Sequence, residues 1–162
     1  MDEQTRRGVL AGIGLATAGC LGRSEERSIY TDYPTTTVAA VTPDDTQRAT
    51  VTAAIADDRS ERRQGLSATE TLRPGWGMLF VFETAASREF YMKNMEFGID
   101  IIYAGADGRI TRMHHAPAPG PEENGAAQRY HGNGQYVLEV PYDWTTEHGV
   151  TPDDRLVFDL PE

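Results

Sequence analysis

The sequence predicts a mainly β protein, a single compact sandwich- or barrel-like domain with one or two short helices. Three observations carry this. Short β-prone or continuously apolar runs recur along the chain, separated by clusters of Gly, Pro, Asn and Asp. One pair of runs carries the turn chemistry of a β-hairpin. Helix formers are confined to two short stretches, and there is no internal repeat.

Thr35–Val41 (TTTVAAV) is β-prone, Pro43-Asp44-Asp45 is a turn signal, and Ala49–Ala56 is a second β-prone run, so the two form a candidate hairpin. Ser60–Gln64 carries helix formers, with Asp58 or Ser60 available as the cap and Gly65 to end it. After the Pro74-Gly75 turn, Met78–Phe82 is continuously apolar and reads as a strand buried on both faces. Arg88–Met92 reads as a further, separate strand. Ile99–Tyr103 and Arg109–Met113 flank Gly105-Ala106-Asp107-Gly108, the strongest hairpin signal in the chain. Residues 116–134 are rich in Pro, Gly and Asn and read as one long loop. Gln135–Val140 is a strand, Asp143 can cap a short helix from Trp144 to His148 closed by Gly149, and Arg155–Asp159 is a last strand.

The N-terminus reads as an address. Arg6-Arg7 stands directly before a Gly-rich apolar run that ends in Thr17-Ala18-Gly19-Cys20. A spanning helix needs roughly 20 apolar residues, and this run is shorter. Paired arginines, a short apolar middle and a small-small-Cys finish resemble a twin-arginine lipoprotein signal. Residues 1–19 are therefore expected to be a signal peptide and Cys20 a lipidation site. Residues 20–34 follow as a tether and 35–162 as the domain. The expected location is the outer face of the cytoplasmic membrane, held through the lipid on Cys20. Cys20 is the only cysteine, so the fold must stand on its core without an internal disulfide.

The net charge is −10, which argues against a nucleic-acid partner. Of the 15 Lys+Arg, only Lys93 is lysine. Acidity with arginine in place of lysine resembles proteins of salt-loving archaea. At ~1 M salt the Debye length is about 3 Å, so surface carboxylates barely repel one another.

Several motifs follow one another in a recognisable order. Glu61–Leu66 (ERRQGL) precedes Gly77–Phe82 (GMLFVF), Phe90–Asn94 (FYMKN) and Ile99–Tyr103 (IDIIY), and Ala116-Pro117 and Tyr136–Val140 (YVLEV) complete the series. Over about residues 49–158 the chain resembles domain-of-unknown-function family 192. The resemblance implies a small β-rich domain, often behind an export signal, with no established activity, cofactor or substrate. The family pattern has Met where Ser67 stands and Thr where Met95 stands, and its loop cysteine has no counterpart in residues 116–134.

Five residues are candidates for a binding site or cleft: Lys93, Asn94, Asp100, His115 and Glu139. Lys93 is a compact ammonium in a chain that otherwise chooses arginine, beside an Asn able to bond backbone or ligand. The plainer reading is an ion pair with Asp100, Glu89 or Glu139. Asp100 alternates onto the face of Ile102, where a carboxylate needs a partner; Arg62, Arg63 or Lys93 could serve. Glu139 either pairs with an arginine or faces a cleft. His114 and His115 point to opposite strand faces and cannot share one metal, and His131 and His148 lack ligand spacing, so no metal site is expected. No cofactor motif is present.

The sequence thus points first to a non-catalytic binding or interaction module whose ligand is a small molecule, a sugar or a protein. The alternative is a hydrolase-like enzyme using Asp100 or Glu139 with Lys93 or His115, and the third reading is a structural or assembly factor.

Overall fold

The computed structural model describes residues 27–161. Arg6, Arg7 and Cys20 lie outside them, as do the signal peptide and the first part of the tether. The elements are β1 (Thr35–Val41), β2 (Gln47–Ala56), α1 (Arg59–Gln64), β3 (Trp76–Tyr91), β4 (Ile99–Ala104), β5 (Ile110–Ala116), β6 (Arg129–Pro141), α2 (Trp144–Glu147) and β7 (Arg155–Val157). The strands form one seven-stranded sheet in the order β5-β4-β6-β3-β2-β1-β7, curled into a half-barrel. All neighbours are antiparallel except β2 and β3, whose connection passes through α1.

Alternation sorts side chains onto two faces. Val38, Val51, Leu79, Ile102, Ile110, Leu138 and Leu156, one from each strand, meet in a single buried cluster inside the curl. The two edges of the sheet meet at one point, where Leu156 N donates to Gly108 O (2.8 Å) and Ile110 N donates to Asp154 O (3.1 Å). Gly108 has φ +79, and a Cβ there would lie 2.3 Å from Leu156 O, so this closure requires glycine.

The outer face carries a second cluster around Met78, Phe80, Ile99, Ile101 and Tyr103. The far ends of β3 and β6 cover it. Their register slips between Val81 and Ala86, and the paired arm lies over Tyr103. A Cβ at Gly132 would sit 2.4 Å from the Tyr103 ring. Phe90 from this arm packs edge-on against Phe80 (4.8 Å) and Tyr103 (5.9 Å). Ile29 and Tyr33, ahead of β1, are buried in the same cluster.

Three expectations change. Met78–Phe82 and Arg88–Met92 are not separate strands but parts of β3, because both halves pair with β6. The long loop shortens to residues 117–128, since β6 begins at Arg129 and its glycines let the strand run close over Tyr103. Asp143 precedes α2 but does not cap it: its φ is +66 and its side chain makes no cap bond. The first hairpin, the 99–113 hairpin and α1 form as read. In α1, Asp58 Oδ1 accepts from Glu61 N (2.7 Å) and Glu61 reaches back to the Asp58 N–H, a closed capping box.

Candidate functional site

The five candidate residues separate onto the two faces of the sheet. Asp100 pairs across β4 and β5 with His115, on the inner face, while Glu139 lies opposite Ile101 and Met78 on the outer face. Lys93 and Asn94, in the turn after β3, join Glu139 in lining one cavity of about 550 Å³.

The inner pair is a structural knot. Asp100 is fully buried and accepts hydrogen bonds from His115 Nδ1 (2.8 Å), Asp143 N (3.0 Å), Thr145 N (2.8 Å) and Thr145 Oγ1 (2.6 Å). No arginine or lysine serves it. Two of its donors are backbone N–H groups at the start of α2, so a carboxylate from β4 does the capping that Asp143 does not. His115, with its side chain 44% exposed, closes the knot at the surface. Asp100, His115 and Asp143 are the described residues that come close enough together to share a cation. The donor set fits one poorly, because each Asp100 oxygen already accepts two hydrogen bonds.

The cavity on the outer face differs in every respect. It lies between α1, the arm of β3, the Lys93-Asn94-Met95 turn and the sheet. Glu139 is its buried charged residue, 6% exposed. Burial alone pushes its carboxyl up to about 8, with no hydrogen bond or cation among the described residues to oppose the shift. Nearby Tyr103 does not satisfy it, since that hydroxyl donates to Tyr130 O (2.7 Å). Burial raises the Tyr103 phenol first, and the Glu139 charge raises it further.

The mouth is cationic. α1 places Arg59, Arg62 and Arg63 along the cavity, a grouping that helical spacing brings to one side. Arg62 is committed to the fold, donating to Val81 O (3.0 Å) and lying over the Phe82 ring (5.0 Å), which Arg88 covers at 3.4 Å. Burial and the neighbouring Arg62 charge depress Arg88 from its ordinary value. The ion pairs made by arginine among the described residues use Arg27, Arg48, Arg109, Arg129 and Arg155. Arg59, Arg63 and Lys93 enter none, and Lys93 pairs with none of Asp100, Glu89 or Glu139. Glu89, the other carboxylate of the lining, is held by Arg129 and His131.

Asn94 adopts φ +59, and its N–H donates to Asn124 O (2.9 Å), which ties the Lys93 turn to the 117–128 loop. Ser67 and Met95, two departures from the expected motif, both line the cavity. Sequence reading missed Thr145, because nothing local marks a residue that caps through a distant strand. It also missed the role of the α1 arginines, although their spacing at 59, 62 and 63 carries the signal.

The DUF192 family, described as Uncharacterized ACR, matches residues 39–158. Among curated proteins nothing matches the chain. A crystal structure of a protein from Sinorhizobium meliloti 1021, described as a candidate transcription regulator, is similar at 29% identity and TM-score 0.68. The match covers 78% of this chain and 95% of that one. A protein of unknown function from Novosphingobium aromaticivorans shares the fold at 21% identity and TM-score 0.66, over 78% and 87% of the two chains.

Proposed function

The chain belongs to the DUF192 family, whose members are uncharacterised, and on that premise we propose that it is a non-catalytic binding module whose outer-face cavity takes a small organic ligand. One observation carries the reading: Glu139, 6% exposed and with no hydrogen-bond partner among the described residues, lines a cavity of about 550 Å³ and presents its carboxyl to that space. That volume falls within the range of small-molecule sites, roughly 300–1,000 Å³. The sealed side-chain atoms without a partner among the described residues are Tyr33 Oη and Asp154 Oδ1; the Glu139 oxygens are reachable from the cavity, where a ligand can supply the partner the protein does not.

The proposal includes the address: export through Arg6-Arg7, a lipid on Cys20 and display at the outer membrane face. Intact-mass measurement of the native protein, giving a chain that starts at a lipid-modified Cys20, is the supporting result; an unmodified Met1 start removes it. The enzyme reading keeps its Glu139–Lys93 pairing, since both line the one cavity, and loses support for Asp100 and His115. Asp100 and His115 are separated from Glu139 and Lys93 by the sheet, and Asp100 is saturated with hydrogen bonds. The regulatory description of the Sinorhizobium protein is not transferred, since a net charge of −10 opposes phosphate binding.

A thermal-shift screen of sugars and small metabolites in molar salt tests the binding reading. Hits should stabilise the wild type and lose their effect in Ser67→Trp, which fills the cavity and whose folding is checked by circular dichroism. Hits that stabilise both proteins equally, or a screen without hits, would overturn it.

A further inference from the structure

We infer that the cavity recognises a small zwitterion of the amino-acid class, its ammonium meeting Glu139, its acid group meeting Lys93 and Arg63, and its apolar body lying against Phe80 and Phe90. The inference rests on the cavity being a ligand site and adds what enters it.

The lining sets the order of charges along the ligand. The buried end offers one carboxyl with no donor of its own. A ligand that brings a cationic nitrogen supplies both the charge and the hydrogen bonds Glu139 lacks. Phe80 and Phe90 both line the cavity and offer the apolar surface for the ligand's body. At the mouth the sign reverses. Arg59, Arg63 and Lys93 are exposed and enter no ion pair among the described residues. Glu89 does not cancel them, being held by Arg129 and His131.

Cation-binding depth and an anion-binding mouth select a molecule with both groups. The chain's only lysine stands at this mouth.

Binding then moves a proton. Without a ligand, burial keeps Glu139 mostly neutral at pH 7, because its carboxyl is raised to about 8. The titratable and charged groups that share the cavity lining are Glu89 from β3, Arg59, Arg62 and Arg63 from α1 and Lys93 from the turn, with Tyr103 from β4 beside it, and burial alone sets the Glu139 shift. Docking of an ammonium favours the carboxylate, so Glu139 loses its proton to solvent as the ligand enters. About one proton should be released per ligand bound at pH 7.

The test is calorimetry in molar salt with L-phenylalanine, L-leucine and L-methionine. Each is compared with its amine-free acid and its acid-free amine: for phenylalanine, 3-phenylpropanoate and 2-phenylethylamine. At least one amino acid should bind ten-fold or more tightly than both of its truncated analogues. Repeating the titration in buffers of different ionisation enthalpy should show proton release, and E139Q should abolish both release and preference for the amine. In Lys93→Ala/Arg63→Ala the acid-free amine should bind as well as the amino acid. An amine-free acid that binds as tightly as its amino acid, or release unchanged in E139Q, would overturn the inference and leave the cavity as a site for acids. No binding by any probe overturns it too. If the wider screen is also silent, the binding reading falls with it.

Discussion

Replacing Glu139 by Gln keeps the shape of the side chain and removes its titration. The folded carboxyl sits at about 8 against an ordinary 4.5, pushed there by burial. Between those values the folded chain holds a proton that the unfolded chain has released. Stability therefore falls as pH rises, and the loss levels off once pH passes the folded value. At ~1.4 kcal/mol per pH unit, the wild type should lose about 4 kcal/mol from this group between pH 5 and pH 9. E139Q should lose none of it.

The amide carries its own cost, since a buried polar group without a partner is destabilising by roughly 1–3 kcal/mol. That cost does not vary with pH. The difference in slope between the two proteins isolates the carboxyl from every other titrating group. Thermal melts at a fixed molar salt from pH 5 to pH 9 read it directly. At roughly 3 °C per kcal/mol for a domain of this size, the gap between variant and wild type should shift by about 12 °C in favour of the variant at the alkaline end. Parallel curves would show that Glu139 is ionised or solvated in the folded state, and the argument from its isolation would fail.

Three further outcomes follow from the structure. Asp100→Asn leaves at least one of four donors unmet, so it should cost ~2–4 kcal/mol in denaturant unfolding, Thr145→Val less, and exposed His115→Ala under ~1 kcal/mol; a His115→Ala effect as large as that of Asp100→Asn would refute the knot. Gly108→Ala must place a Cβ 2.3 Å from Leu156 O at φ +79 and should destabilise by more than ~2 kcal/mol, with faster hydrogen exchange at the Leu156 amide; wild-type melting would refute the closure. With a net charge of −10, the melting temperature should climb between about 0.1 and 2 M salt as self-repulsion is screened, and a flat profile would remove the salt-adaptation reading.

What was legible in the sequence tracks how local its physics is. The 99–113 hairpin is written in Gly105–Gly108, and α1 in Asp58 and Glu61, because turn and cap chemistry act over a few residues. The sequence reads β3 as two strands because the reason it is one lies in β6, far along the chain. The sequence offers the adjacent Asp143 as a cap of α2, whereas the structure supplies Asp100 from a strand. Alternation correctly puts Asp100 with Ile102, and His115 faces it across the 99–113 hairpin, yet its other three donors are not legible, since they come from a helix start that the β4–β6 pairing brings near. Lys93, Asn94 and Glu139 stood out by residue type. Their gathering into one cavity depends on the β3–β6 arm folding over Tyr103, which a glycine at 132 permits but does not announce.

Asp100 and Glu139 make the sharpest contrast in the molecule. Both are buried carboxylates on neighbouring strands, on opposite faces of one sheet. Asp100 receives four hydrogen bonds and fastens α2 to β4, so its burial is explained within the fold. Glu139 receives none among the described residues, and burial alone governs its proton. An apolar residue at 139 would suit Met78 and Ile101 across the strands, and replacing buried charge by apolar side chains is often neutral or stabilising. The chain has a carboxyl there, a cavity beside it and its only lysine at the mouth. Stability gives no reason for that combination, and the ligand proposed for the cavity, carrying both charges, would supply one.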